Sequence, residues 1–130
     1  MALATPHILV AEDDRALASF MREVLENAGY KVRLAPNGRV ALDDLEQHSF
    51  ALVVLDLVMP GMDGIEFRLR QLQHSSRWLT PVLVVSGHDR VETLALSIKA
   101  EGCLSKPFTA DELIEAVREV LAARGTMPLS

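Results

Sequence analysis

Cysteine is almost missing from this chain, and the single Cys103 excludes an internal disulfide and a multi-cysteine zinc site. Basic charge is in short supply. Thirteen Lys and Arg stand against 18 Asp and Glu, for a net charge of -5 and a pI near 5.3. A surface that binds nucleic acid directly needs clustered Lys and Arg, so no such partner is expected. Long hydrophobic runs are also lacking. None approaches the roughly 20 residues of a membrane span, and the longest candidate, Phe50 to Pro60, contains an aspartate. The basic-then-apolar order of a signal peptide does not open the chain, so no membrane partner is expected and the expected location is cytoplasmic. Internal repeats and low-complexity tracts are absent. What is there is 130 residues, 49% hydrophobic and 24% charged, an ordinary composition and sufficient length for one domain with a real core.

Apolar runs and helical stripes alternate along the chain. Ile8 to Ala11 is a short run suited to a strand buried on both faces. Leu17, Phe20, Met21, Val24, Leu25 and Ala28 then mark one face of a helix closed by Gly29. Lys31 to Leu34 alternates like a less buried strand. A short helix with Ala41, Leu42 and Leu45 follows the Pro36-Asn37-Gly38 turn. Phe50 to Leu55 is the strongest strand signal. After the loop Pro60–Gly64 come a third helix with Ile65, Leu69 and Leu72 and a strand from Pro81 to Val85. A fourth helix carries Val91, Leu94, Ala95 and Ile98. Cys103 to Ser105 makes a brief fifth strand, and the last helix is striped by Leu113, Ile114, Val117, Val120 and Leu121. Five strands separated by five helical patterns predict an α/β, doubly wound, five-stranded parallel sheet, flavodoxin-like in its order 2-1-3-4-5. The domain is expected over residues 7–124, with an arm at 1–6 and a tail at 125–130.

That topology concentrates chemistry at one edge. Ligands of open α/β sheets bind outside the carboxyl ends of the strands, at the switch point between strands 1 and 3. Glu12-Asp13-Asp14 follows strand 1, Asp56 ends strand 3, Ser86 ends strand 4 and Lys106 follows strand 5. Taken singly, the acids could be helix caps, Ser86 a turn residue and Lys106 a solvated lysine. As a set they converge. Clustered carboxylates repel one another unless a cation is present. Mg²⁺, which takes a few carboxylates with water and phosphate oxygens, suits such a cluster. A metal beside one carboxylate suits phosphoryl transfer with aspartate as nucleophile. Lys106 would pair with phosphoryl oxygens and the Ser86 hydroxyl would hydrogen-bond to one.

The runs Ile-Leu-Val-Ala-Glu-Asp-Asp, Leu-Asp-Leu-Val-Met-Pro-Gly-Met-Asp-Gly, Val-Val-Ser-Gly and Leu-Ser-Lys-Pro-Phe resemble, in order and spacing, the receiver domain of two-component response regulators. The resemblance spans Pro6 to Arg124. It implies a phosphoprotein whose phosphoacceptor is Asp56, with Ser86 and Lys106 assisting. Direct Mg²⁺ ligands would be Asp13 and Asp56, with Glu12 acting through water and the Val58 backbone carbonyl as the third protein ligand; Mn²⁺ would substitute. Asp14 is left to cap the first helix. It further implies a cis bond before Pro107, a histidine kinase or histidine phosphotransfer protein as phosphodonor, and a downstream protein or fused output domain as receiver of the signal. No enzymatic activity is expected beyond the domain's own phosphorylation and dephosphorylation.

Two positions depart from the family pattern. Cys103 stands where an aromatic commonly couples to the hydroxyl residue Ser86 as a switch, and its expected role is packing as a small apolar residue. His88, two residues past Ser86, is expected to face solvent. His7, His48 and His74 have no ligand spacing, and Arg77 and Trp78 suit a half-buried anchor. A haloacid-dehalogenase type phosphatase would want a second aspartate at Val58. A flavodoxin-like electron carrier would want a Ser/Thr/Gly-rich loop after strand 1. A degenerate receiver would have lost part of the acceptor set, which is complete here.

Overall fold

The computed structural model describes residues 5–59, 61–73, 80–87, 93, 95–96 and 98–125. Five parallel strands form one sheet: β1 (His7–Ala11), β2 (Lys31–Ala35), β3 (Leu52–Asp56), β4 (Val82–Ser86) and β5 (Gly102–Ser105). Their order is β2-β1-β3-β4-β5, as expected. The register sets Ala11 beside Leu55 and Asp56 beside Val85, which aligns the carboxyl ends of the three inner strands.

Four helices lie among the described residues: α1 (Arg15–Asn27), α2 (Gly38–Gln47), α3 (Gly64–Gln73) and α4 (Ala110–Gly125). Thr93, Ala95 and Leu96 are helical as well; Val91 and Leu94 of the expected fourth helix lie outside the described residues, as do His74, Arg77, Trp78 and His88.

Side chains alternate across a strand, so each strand feeds two cores. Leu9, Val53, Leu55 and Val84 face α2 and α3, meeting Ala41, Leu45, Phe67, Ala95 and Ile98. Ile8, Val10, Leu52, Val54, Leu83 and Val85 face α1 and α4, meeting Met21, Leu25, Leu113 and Val117. Full burial of each such large side chain stabilises by about 1.5–3 kcal/mol. β3, covered on both sides, is buried at every residue, whereas the edge strand β2 buries only Ala35 completely.

Local sequence sets the helix ends. Asp14 caps α1 by accepting from the Leu17 amide at 3.1 Å, and Asn37 caps α2 through the Val40 amide at 2.9 Å. Thr109 and Glu112 form a reciprocal capping box at α4. Gly29, at φ 103°, closes α1 by a left-handed turn, with the Tyr30 amide donating to Leu25 O at 3.1 Å.

One helix face differs from its expectation. Of the apolar stripe predicted for α3, Leu69 is 54% exposed, Ile65 packs half-buried against the core, and the Leu72 side chain lies outside the described residues. Phe67, Arg68 and Gln71 are buried instead. Apolar spacing counts Arg and Gln as surface, yet here both are hydrogen-bonded inside, so the buried face takes in polar residues that the spacing omits.

Candidate functional site

The backbone delivers the acids to one place. The Glu12 amide donates to Ala35 O at 3.0 Å, prolonging β1 by one pairing and carrying Glu12 to the carboxyl edge of the sheet. Asp56 is the last residue of β3 and is 5% exposed. Carboxylate oxygens of Glu12, Asp13 and Asp56 lie within 4.8 Å of one another, Asp13 exposed and the other two buried. Lys106, directly after β5, places Nζ 3.1 Å from Glu12 Oε1 and 3.3 Å from Asp56 Oδ2. Its amide donates to Ser86 O at 3.0 Å, which ties β5 to the buried end of β4. The Val58 amide donates to Asp56 Oδ1 at 3.1 Å, while the Val58 side chain is 67% exposed. The Lys106–Pro107 bond is cis, as expected.

Thus Glu12, Asp13, Asp56, Ser86 and Lys106 share the carboxyl edge. Cys103 stands apart from them in mid-strand, opposite Val84 and partly buried against the α2/α3 core.

The electrostatics are those of a site short of positive charge. Glu12 is pushed up to about 7, first by burial and further by the Asp56 charge, against the opposing pulls of the Asp14 amide and Lys106. Lys106 is raised although burial by itself would lower it, because Asp56 and Glu12 both favour the ammonium. Glu12 Oε2 accepts from the Asp14 amide at 3.1 Å. Glu12 Oε1 is buried and meets the Lys106 ammonium at 3.1 Å. Three carboxylates gathered within 4.8 Å beside the Lys106 ammonium leave an excess of negative charge that a bound cation with its water would offset. The residues fit a hard, oxygen-seeking metal ion.

Two positioning residues were not foreseen. A Cβ on Gly64 would come within 2.7 Å of Asp56 O and Leu57 Cα, and one on Gly38 within 2.8 Å of Met62 O. The loop between β3 and α3 is therefore pressed between two helix starts, and the Gly64 amide donates to Leu57 O at 3.0 Å. Both glycines begin a helix directly after a capping residue. That was the available signal, but close backbone approach is a tertiary matter.

Together these features define a class: a doubly wound α/β protein with a cation-fitting carboxylate pocket at its topological switch point. The model of the response regulator receiver domain matches residues 8–118. The chain is 41% identical over 123 residues to the response regulator MprA of Mycolicibacterium vanbaalenii, covering 93% of this chain and 52% of that protein. It is 36% identical over 114 residues to the transcriptional regulatory protein CpxR of Escherichia coli, covering 88% and 48%. Among solved structures, the response regulator TrrA from Thermotoga maritima, in complex with Mg²⁺-BeF, superimposes with a TM-score of 0.80 at 27% identity, covering 89% of this chain and 99% of that one. The chain belongs to the receiver domain family of two-component response regulators. It spans about half the length of the curated relatives it matches.

Proposed function

We propose that Asp56 is the phosphoacceptor of this receiver domain and that its phosphorylation is Mg²⁺-dependent. The observation that carries this is the Asp56 carboxylate at the end of β3, with Lys106 Nζ at 3.3 Å and two further acids within 4.8 Å. Asp13, Asp56 and the Val58 carbonyl would hold the metal directly and Glu12 through water; Mn²⁺ could replace Mg²⁺. The ion, when bound, offsets charge on the transferring phosphoryl group. An Asp56 oxygen forms the new O–P bond as the P–N bond of a phosphohistidine breaks, and the leaving imidazole keeps the electron pair and takes up a proton. Lys106 and the Ser86 hydroxyl bind phosphoryl oxygens. Hydrolysis later returns the carboxylate and inorganic phosphate.

The donor is a histidine kinase or a histidine phosphotransfer protein of the cytoplasm. Phosphorylation alters a protein-interaction surface read by a downstream protein or a fused output domain; relatives named as transcriptional regulators favour the latter. The spacing of Val91, Leu94, Ala95 and Ile98 supports a fifth helix in the fold.

Acetyl phosphate with Mg²⁺, followed by intact-mass measurement, tests the reading. Wild type should gain one phosphoryl group, and Asp56→Asn none. Undiminished labelling of Asp56→Asn would remove Asp56 as the acceptor.

A further inference from the structure

Far from the acid pocket lies a second set of buried polar groups that phosphoryl transfer does not use. Arg68 on α3 is 3% exposed and Gln71, one turn later, is fully buried. Arg68 Nε donates to Ile98 O at 2.9 Å, Nη2 donates to Lys99 O, and Nη1 donates to Gln71 Oε1 at 2.7 Å. Nη2 also lies 3.5 Å from Glu101 Oε1. Gln71 Nε2 in turn donates to Thr80 O at 3.0 Å. Glu101 grips the first residue of β4 twice: its Oε1 accepts from the Val82 amide at 2.8 Å, and its own amide donates to Val82 O at 2.9 Å.

The two carbonyls held by Arg68 belong to a helix end. The Lys99 amide donates to Leu96 O at 3.1 Å and the Ala100 amide to Ala95 O at 2.9 Å, with Lys99 left-handed at φ 58°. This is the closure in which the final carbonyls are left without helical partners. A guanidinium supplies both directed N–H groups and the positive charge that a helix carboxyl end favours.

The connection from β4 to β5 thus runs from Ser86, in the phosphoacceptor site, to a terminus bolted onto α3 and the start of β4. We propose that Arg68 is a positioning residue of the receiver switch. It fixes the backbone at Ile98–Glu101, so that phosphorylation at Asp56 alters the Ser86 end of this connection and leaves the Ile98–Glu101 end in place. A fixed far end is what gives a local pull at Ser86 a direction, since a ligand shifts only arrangements that differ in their interaction with it. This rests on the Asp56 reading above.

Amide spectra of the full chain, with and without beryllofluoride and Mg²⁺ as the phosphoryl mimic, test it. In wild type the Ser86, Gly87 and Lys106 amides should shift, while Val82, Lys99, Ala100 and Glu101 stay. In Arg68→Leu, Lys99 and Ala100 should exchange with solvent roughly tenfold faster or more, the loss expected for charge-assisted hydrogen bonds. The mimic-induced shifts should then spread into 98–101. Arg68→Lys, which keeps the charge but lacks the fork, should spread them less. A merely structural arginine would alter exchange without redistributing the mimic's shifts. Movement of 98–101 in wild type as large as that at Ser86 overturns the proposal, as does an unchanged shift pattern in folded Arg68→Leu. Should that variant not fold, wild type and Arg68→Lys decide. A mimic that shifts nothing around Asp56 instead sinks the phosphoacceptor reading, and this proposal with it.

Discussion

Two groups of buried charge sit at different places on this sheet and behave oppositely. Around Arg68, donors and acceptors match: the guanidinium meets two backbone carbonyls, an amide oxygen and a carboxylate. Around Asp56, among the described residues, three carboxylates gather within 4.8 Å and the Lys106 ammonium pairs with two of them. The first arrangement is finished and holds elements together. The second carries an excess of negative charge, which suits it to a cation. Asp44, another buried acid, pairs with Arg33 at 3.1 Å on the edge strand and belongs to no group of three potential metal ligands among the described residues.

The contrast is sharpest in stability. Arg68→Ala, which strands carbonyls and a carboxylate inside, should lower unfolding free energy by about 3 kcal/mol. Urea denaturation measures it, and a loss below about 0.5 kcal/mol would show the Arg68 network to be incidental. Asp13→Ala should leave stability nearly unchanged, because Asp13 is exposed. It should weaken Mg²⁺ binding at least about tenfold, the consequence of removing a charged ligand. Unaltered Mg²⁺ affinity by calorimetry would mean that the wrong acid has been assigned.

The pH dependence of the metal-free protein gives the next effect. Glu12 rises from 4.5 to about 7 on folding, so between those values the folded state holds a proton that the unfolded state has released. Stability should therefore fall as pH rises from about 4.5 to about 7 and then level off. Lys106, itself raised, stays charged throughout. Glu12→Gln should flatten this slope, and so should saturating Mg²⁺. A slope that survives the substitution would assign it to another group. The smallest effect is local to the anchored end. Lys99 is left-handed at φ 58°, and Lys99→Gly should stabilise by about 1 kcal/mol by removing that cost. A destabilised glycine variant would indicate that the Lys99 side chain has a partner outweighing the strain.

Much of this was legible in the chain. The alternation of apolar runs with helical stripes predicted the strand order, because right-handed crossovers leave few topologies for five parallel strands. The same reasoning put Glu12, Asp13, Asp56, Ser86 and Lys106 on one edge. The cap at Asp14 and the turn at Gly29 are local chemistry, so neighbouring residues suffice to predict them.

What the sequence by itself determined was therefore the sheet, its order and the edge at which the acids gather. These follow from period, capping and handedness, all short-range or topological. Only the tertiary structure decided which face of α3 is buried, since Arg68 and Gln71 enter the interior on partners 30 and 9 positions away in the chain. It also decided that Gly38 and Gly64 must admit a neighbouring backbone, and that Glu12, Asp13 and Asp56 bring their carboxylates within 4.8 Å. Each depends on the distance between groups remote in sequence. Burial reverses the usual preference of a polar side chain only when such partners arrive, and no local pattern records whether they do.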